Sequence, residues 1–268
     1  MKKFIVIASI LFSFISSVYA NQDFLELCKY GTSVQISNQT DKMVLILYRD
    51  DKGQNGLMYA SMFNKNVETI KTLISLTRNI DTRDLDGKTS LMKAIEYKNS
   101  FEVIDEFLKA GASVQSQCRI GMNPLMYALK YESNLKVVEL LLKYSLDHRG
   151  HLHSSLIVRD NFGRTPLHYA TASMNVEIVK LCVTRNQDGV GEGNINIKDQ
   201  EGNTPLIYSI INNNIEVTGV LLAHGADARI RNNKSNSAFD YAILNSIFNN
   251  TEILWKLNDA QYRKGRAF

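Results

Sequence analysis

Residues 160–170 read DNFGRTPLHYA, and each part of this stretch has a defined structural role. Asp160 and Gly163 have the spacing of a tight turn. Thr165 supplies a side-chain oxygen that can cap the first turn of a helix. Pro166 suits the first helical position, where the backbone needs no amide hydrogen. The stretch therefore predicts a turn that leads directly into a short helix.

The helix-start part of this pattern recurs along the chain. Its copies begin at Asn55, Thr89, Asn123, Thr165, Thr204 and Ser237, at intervals of 34, 34, 42, 39 and 33 residues. All three prolines directly follow one of these caps. An apolar residue two positions after each cap and a small residue five positions after it predict a buried face that a neighbouring helix approaches closely. Such a period indicates a solenoid of repeated units.

A second helix is expected eleven to fourteen residues after each cap. Its expected starts are Val67, Phe101, Leu135, Val176, Ile215 and, more weakly, Thr251. Gly111 and Gly225 follow two of these helices at the place of a left-handed C-cap. Each repeat is thus predicted to be a helix–turn–helix unit.

The pattern D-x-x-G-x-T-P-L-H-x-A, followed by a helix ending in LLAHGAD at residues 221–227, resembles the ankyrin repeat. The resemblance covers about residues 46–245. It implies an all-α repeat solenoid with antiparallel helix pairs and β-hairpin fingers that project at a right angle. About five to six repeats are recognisable, between degenerate end caps.

The two ends are expected to differ from the repeats. We expect one ankyrin-repeat domain over 21–268, with a degenerate N-terminal repeat at 21–54, repeats at 55–236 and a capping repeat at 237–268. In the N-terminal repeat, residues 23–30 predict a helix, while a second helix over 33–44 is ambiguous. Terminal repeats have a neighbour on one side only, so atypical sequences are expected there.

Residues 1–20 have the pattern of a secretory signal peptide. Two lysines precede an apolar stretch, which is followed by serines and then by Val18 and Ala20, compact residues at the two positions that a signal peptidase reads. The apolar stretch is short for a transmembrane helix, although an uncleaved anchor is the alternative. We therefore expect an exported protein, periplasmic or secreted, with no membrane attachment after cleavage.

Composition argues against nucleic acid as a partner. Without residues 1–20 the chain has 29 basic and 27 acidic side chains, so it lacks the broad positive field that binds phosphate backbones. Cys28, Cys118 and Cys182 are an odd number at wide spacing, which fits neither a disulfide framework nor a zinc pattern.

The histidines do not form a catalytic set. The ankyrin resemblance gives His168 a structural hydrogen-bonding role between neighbouring units. His148, His151 and His153 cluster in the insertion that lengthens one repeat interval to 42 residues, and they are weak candidates for a metal site. Their spacing matches no zinc template and Arg149 would repel a cation, so a polar loop is the competing interpretation. We expect no enzyme activity and no cofactor.

One position of the first helix is tyrosine in all copies but one, which has Lys93. The tyrosines are Tyr59, Tyr127, Tyr169, Tyr208 and Tyr241. A row of tyrosines suits a binding surface, but the position also suits side chains packed between repeats.

The resemblance implies that partners contact the fingertips and the concave helices. The candidate partner-binding residues are Arg119, Met122, Arg159, Phe162, Arg164, Lys198 and Glu201 in the fingers, and Tyr127, Tyr169 and Tyr208 in the helices. Two inserted loops, at 147–153 and 188–193, are expected to extend this surface.

The sequence thus predicts an exported, monomeric scaffold or adaptor that binds a protein partner. One alternative is a secreted effector that acts on host proteins. Another, of a different class, is a metal-binding protein that uses the histidine loop.

Overall fold

The structure is a computed structural model that describes residues 23–38, 48–132, 134–145, 154–173, 175–187 and 194–262. The chain divides into two compact units, Met1–Ser113 and Val114–Phe268. The predicted signal segment and both inserted loops lie outside the described residues. None of the described helices has the length and apolar character needed to cross a bilayer.

The described part of the first unit consists of paired helices. They are α1 (residues 23–30), α2 (Ser33–Ser37), α3 (Gly56–Phe63), α4 (Val67–Leu76), α5 (Ser90–Glu96) and α6 (Phe101–Lys109). The first helix of one pair packs on the first helix of the next, as α3 does on α5. The second helices do likewise, since α4 packs on both α2 and α6. This is the packing expected of stacked repeats.

The second unit has the same internal arrangement. Its α-helices are α7 (Pro124–Tyr127), α8 (Leu135–Tyr144), α9 (Pro166–Ala170), α10 (Val176–Gln187), α11 (Pro205–Ile211), α12 (Ile215–Ala223), α13 (Ala238–Ala242) and α14 (Glu252–Tyr262). A π-helical turn, Ala128–Glu132, extends α7, and short 3-10 turns lie at Ser154–Leu156, Asn194–Asn196 and Ser246–Phe248. Successive first helices, α7, α9, α11 and α13, pack on one another, and so do successive second helices.

The helix starts predicted from the sequence are confirmed. Five of the six caps accept a hydrogen bond from the backbone amide three residues later, and these are Asn55, Thr89, Asn123, Thr204 and Ser237. The second helices begin at the expected residues, except that α14 begins one residue later, at Glu252. There the Thr251 hydroxyl caps the helix by accepting from the Leu254 amide.

The second helix of the N-terminal repeat covers Ser33–Ser37, which is shorter than the range 33–44 that the sequence left ambiguous. The helix over 23–30 is confirmed. Helix α2 ends at Ser37 and is closed at its start by a capping box between Thr32 and Gln35. Residues 39–47 lie outside the described residues.

The predicted fingers are present as tight turns that form no strand among the described residues. In one such turn the Asp160 amide donates to the Arg164 carbonyl at 3.0 Å, and the next residue, Thr165, already caps a helix. No chain is left between the turn and the helix to form a strand. The closest approach to a hairpin in the described part of the chain is one isolated bridge between Arg231 and Ser237.

The cysteines are core residues. Cys28, Cys118 and Cys182 are all free and buried. Burial raises the pKa of the Cys28 and Cys182 thiols, which keeps them protonated and unreactive. The prediction that Cys182 is a small buried hydrophobe is confirmed.

Candidate functional site

Each regular finger is closed by the side chain of its first residue. Asp160 Oδ1 accepts hydrogen bonds from the backbone amides of Phe162 at 2.9 Å and Arg164 at 2.8 Å. The same pair of bonds forms at Asp50, Asp84, Asp199 and Asn232. Because a tight turn leaves these amides without a backbone partner, the side chain fixes the shape of the finger.

The tyrosine of the first helix bonds the second polar side-chain atom of the same finger residue. The Tyr169 hydroxyl donates to Asp160 Oδ2 at 2.6 Å, nine residues back. The same contact joins Tyr59 to Asp50 and Tyr208 to Asp199, at 2.8 Å each, while Asn232 Nδ2 donates to the Tyr241 hydroxyl at 2.9 Å. Burial, reinforced by the bond to Asp160, raises the pKa of Tyr169, so its hydroxyl remains a donor. The structural interpretation of the tyrosine row therefore fits these repeats.

The repeat without this tyrosine uses an ion pair in the same place. Lys93 Nζ lies 2.8 Å from Asp84 Oδ2, again nine residues back. In the repeat that follows, the finger itself lacks the acidic residue, because Cys118 stands in its place. Its tyrosine, Tyr127, is buried and packs on the ring of Tyr131, with 5.6 Å between the ring centroids.

Neighbouring fingers of the second unit are bonded to each other. The amides of Asn161, Gln200 and Asn233 donate to the carbonyls of Ile120, Phe162 and Glu201, at 2.9 to 3.0 Å. The approach is so close that a Cβ on Gly202 would lie 2.8 Å from the Asn233 nitrogen, and Gly202 also has a φ of +78°. The last finger has Ser235 at the glycine position with a φ of 63°, and no described finger stacks beyond it. Bonding between fingers fixes the backbone from which their exposed side chains project.

His168 joins the start of α9 to the next finger. Its Nδ1 accepts from the Thr165 backbone amide at 3.0 Å, so the ring proton is on Nε2, which donates to the Asn203 carbonyl at 3.2 Å. The predicted structural role of His168 between neighbouring repeats is confirmed. Burial lowers the pKa of His168 to about 4, although the Asn203 carbonyl and nearby carboxylates favour the charged form.

The free energy of unfolding should decrease as the pH falls, because His168 is buried in its neutral form. Between pH 6.5 and 4 the unfolded chain binds a proton that the folded protein excludes, so the folded state loses up to about 3 kcal/mol as the pH falls. Urea unfolding at pH 7.5 and 4.5 should show a steeper loss for the wild-type protein than for His168→Gln, which cannot titrate. Equal losses in both proteins would contradict this role of His168.

The ten candidate partner-binding residues fall into two groups. Arg119, Arg159, Phe162, Lys198 and Glu201 are exposed, and Arg164 and Tyr208 are partly exposed. Met122, Tyr127 and Tyr169 are buried, so a partner could reach them only if the fold opened. We therefore assign these three to the core and remove them from the candidate surface.

Phe162 is a half-exposed aromatic ring that packs on the Arg164 guanidinium. It is 50 % exposed, and the Arg164 guanidinium carbon lies 4.7 Å from its ring centroid. The same guanidinium lies 4.9 Å from the Tyr169 ring and is bonded to Asp160 Oδ2. An aromatic side chain that is already ordered loses little entropy when a partner covers it.

No group of three or more histidine, cysteine, aspartate or glutamate side chains that could hold a metal ion is present in the described residues. His148, His151 and His153 lie outside them, so the metal-site hypothesis for this loop remains a prediction.

Comparison with protein families agrees with the geometry. A family model for ankyrin repeats in three copies matches residues 20–118 and again 97–189, and one for ankyrin repeats in many copies matches residues 191–242. No curated protein matches the sequence. The matched segments span most of the chain and coincide with the stacked helix pairs and fingers. The chain is an all-α repeat solenoid that belongs to the ankyrin-repeat family.

Proposed function

We propose that this chain is an exported scaffold that binds a protein partner through the fingers of its second unit. Ankyrin repeats generally mediate protein–protein interaction. The proposed contact surface, called the finger surface below, consists of Arg119, Arg159, Phe162, Arg164, Lys198 and Glu201. Phe162 is the observation that carries the proposal, because a half-exposed aromatic ring clamped by arginine has the character of an interface anchor.

The chemistry of the finger surface supports binding rather than catalysis. The carboxylates of Asp160 and Asp199, in the same fingers, are buried and bonded to tyrosine hydroxyls and turn amides. His168 is likewise bonded on both ring nitrogens. The groups that remain exposed are an aromatic ring, cations and one carboxylate, which are contact residues. We extend the proposal to the loops at 147–153 and 188–193, which directly precede two of these fingers in the sequence.

Partner capture should depend on Phe162 and not on exposed aromatic area in general. A photo-crosslinking amino acid at position 162 should trap a partner from the native exported fraction, whereas the same group at Trp255, which is 67 % exposed on α14, should not. Phe162→Ala should weaken capture about tenfold or more while changing the free energy of unfolding by about 1 kcal/mol or less. Capture from both positions alike, or a loss of stability as large as the loss of capture, would contradict the proposal.

Export has its own test. If residues 1–20 are a cleaved signal, the protein recovered from outside the cytoplasm should begin at Asn21. Its N-terminal sequence and intact mass measure this directly. Recovery of a chain that still begins at Met1, bound to membranes, would support the uncleaved anchor instead.

A further inference from the structure

Basic residues recur at one edge of the fingers in the second unit. The residue directly before the turn-closing Asx side chain is Arg159, Lys198 and Arg231 in three successive fingers, and all three are exposed. Arg119 and Lys234 add exposed cations within the finger turns themselves. We call these five residues the basic edge.

Two side chains of the basic edge, Arg159 and Lys198, are held in place by backbone carbonyls. Arg159 Nη1 donates to the Lys198 carbonyl at 3.3 Å, and Lys198 Nζ donates to the Arg231 carbonyl at 2.8 Å. In the preceding finger Gln117 Nε2 makes the equivalent bond to the Arg159 carbonyl at 3.1 Å. A carbonyl orients a cation without cancelling its charge, so the charges of Arg159 and Lys198 remain available to a partner.

Counter-charges are scarce at this edge. Among the described residues, Arg119, Arg159, Lys198 and Lys234 have no carboxylate within ion-pair distance, whereas Arg231 pairs with Asp240 at 2.8 Å. The finger carboxylates of Asp160 and Asp199 are buried, which leaves Glu201 as the exposed acid of the described finger turns in this unit. Exposed lysines elsewhere in the unit do find partners, as Lys180 does with Glu177 and Lys256 with Glu252.

We infer that the basic edge, together with Phe162, binds an acidic segment of a protein partner. Carboxylates of that segment pair with Arg159 and Lys198, and an apolar side chain packs on the Phe162 ring. The like charges of the basic edge repel one another, and an acidic partner relieves this repulsion. The same positive charge attracts an acidic partner toward the basic edge before it binds. The inference rests on the proposed function, since it names the kind of partner that the finger surface takes.

Nucleic acid fits this edge less well than an acidic polypeptide. The edge is short, and the whole chain from residue 21 is close to charge balance, so it lacks the extended field that gives phosphate-backbone affinity. Phe162 also adds an exposed apolar ring to this surface, and a polypeptide can cover such a ring with an apolar side chain of its own.

The test uses a variant that removes charge and keeps the hydrogen bonds. Arg159→Gln/Lys198→Gln should fold normally, because Gln117 already makes the same carbonyl contact at the equivalent position. The control, Lys136→Gln/Lys143→Gln, removes the same charge from exposed positions on α8. The probe is a fluorescein-labelled 16-residue peptide of Glu, Leu and Ser, measured against residues 21–268 by fluorescence anisotropy, alongside a peptide with Lys in place of every Glu.

We expect the Glu peptide to bind in a salt-dependent manner and the Lys peptide not to bind. The Arg159→Gln/Lys198→Gln variant should weaken binding about tenfold or more, and the control should change it by less than about threefold. Equal effects of the two variants, equal binding of the two peptides, or tighter binding of a 16-nucleotide DNA or of phosphatidylglycerol vesicles than of the Glu peptide would each overturn the inference.

Failure of the inference can be told from failure of the proposed function. If position 162 crosslinks a partner through a segment without acidic residues, and the glutamine variant captures that partner normally, the scaffold function stands and the acidic partner does not. If position 162 traps no protein, the proposed function itself fails.

Discussion

We expect Lys93→Met to lower the free energy of unfolding by about 3–5 kcal/mol, because it leaves a buried carboxylate without its cation. Lys93 Nζ lies 2.8 Å from Asp84 Oδ2, and the two side chains are only 5 % and 2 % exposed. The other oxygen of Asp84 accepts the amides of Asp86 and Lys88, so the carboxylate cannot turn toward water without opening the finger. Urea unfolding at pH 7 measures the loss.

The matched variant is Lys93→Tyr. Three other repeats pair the finger aspartate with a tyrosine nine residues later, so tyrosine should restore a donor to Asp84 and recover most of the stability that methionine loses. Methionine and tyrosine variants of equal stability would contradict the role that we assign to this position, and so would a methionine variant as stable as the wild-type protein.

We expect Leu167→Ala to lower the free energy of unfolding by about 2–5 kcal/mol, because it leaves a cavity in the buried face between stacked helices. Leu167 is fully buried in α9, two residues after the cap. Its control is Leu244→Ala, because Leu244 is 86 % exposed after α13 and should cost about 0.5 kcal/mol or less. Equal costs at the two positions, measured by the same urea unfolding, would mean that the apolar positions after the caps do not form the core.

Helix starts could be predicted from the sequence because the physics that sets them is local. A cap such as Thr204 and a proline such as Pro205 act within one turn of the helix, and the structure confirms both. The pairing of the fingers with the tyrosines was missed. Its signal was present, because Asp160 and Tyr169 are separated by the same nine residues as Asp199 and Tyr208.

Met122 shows why exposure was harder to predict than helices. The last residue of a finger lies where the turn meets the helix, and the polar side chain of Arg164 stays partly exposed there because its guanidinium bonds Asp160 and packs on the half-exposed Phe162 ring. Methionine has no charge to keep in water, so Met122 packs inward and is buried. Whether a finger residue can contact a partner thus depends on its side chain as well as on its place in the turn.

Asparagine bonds between repeats could not be found from local patterns. Asn99 Nδ2 donates to the carbonyls of Ser61 and Asn64, and Asn64 Nδ2 donates to those of Cys28 and Gly31, each more than thirty residues away. Such bonds depend on how one helix pair stacks on the preceding pair. A residue type common in loops gives no hint of them.

The proposed contact surface depends most on the bonding between fingers, because that bonding fixes the backbone that carries Phe162, Arg159 and Lys198. Amide hydrogen exchange of the native protein, resolved by residue with NMR, tests this directly. The amides of Asn161, Gln200 and Asn233 belong to exposed turn residues, yet each donates to a carbonyl of the preceding finger. We predict that all three exchange far more slowly than in the unfolded chain. Exchange at the rates of an unfolded chain would mean that the fingers move independently and present no fixed surface to a partner.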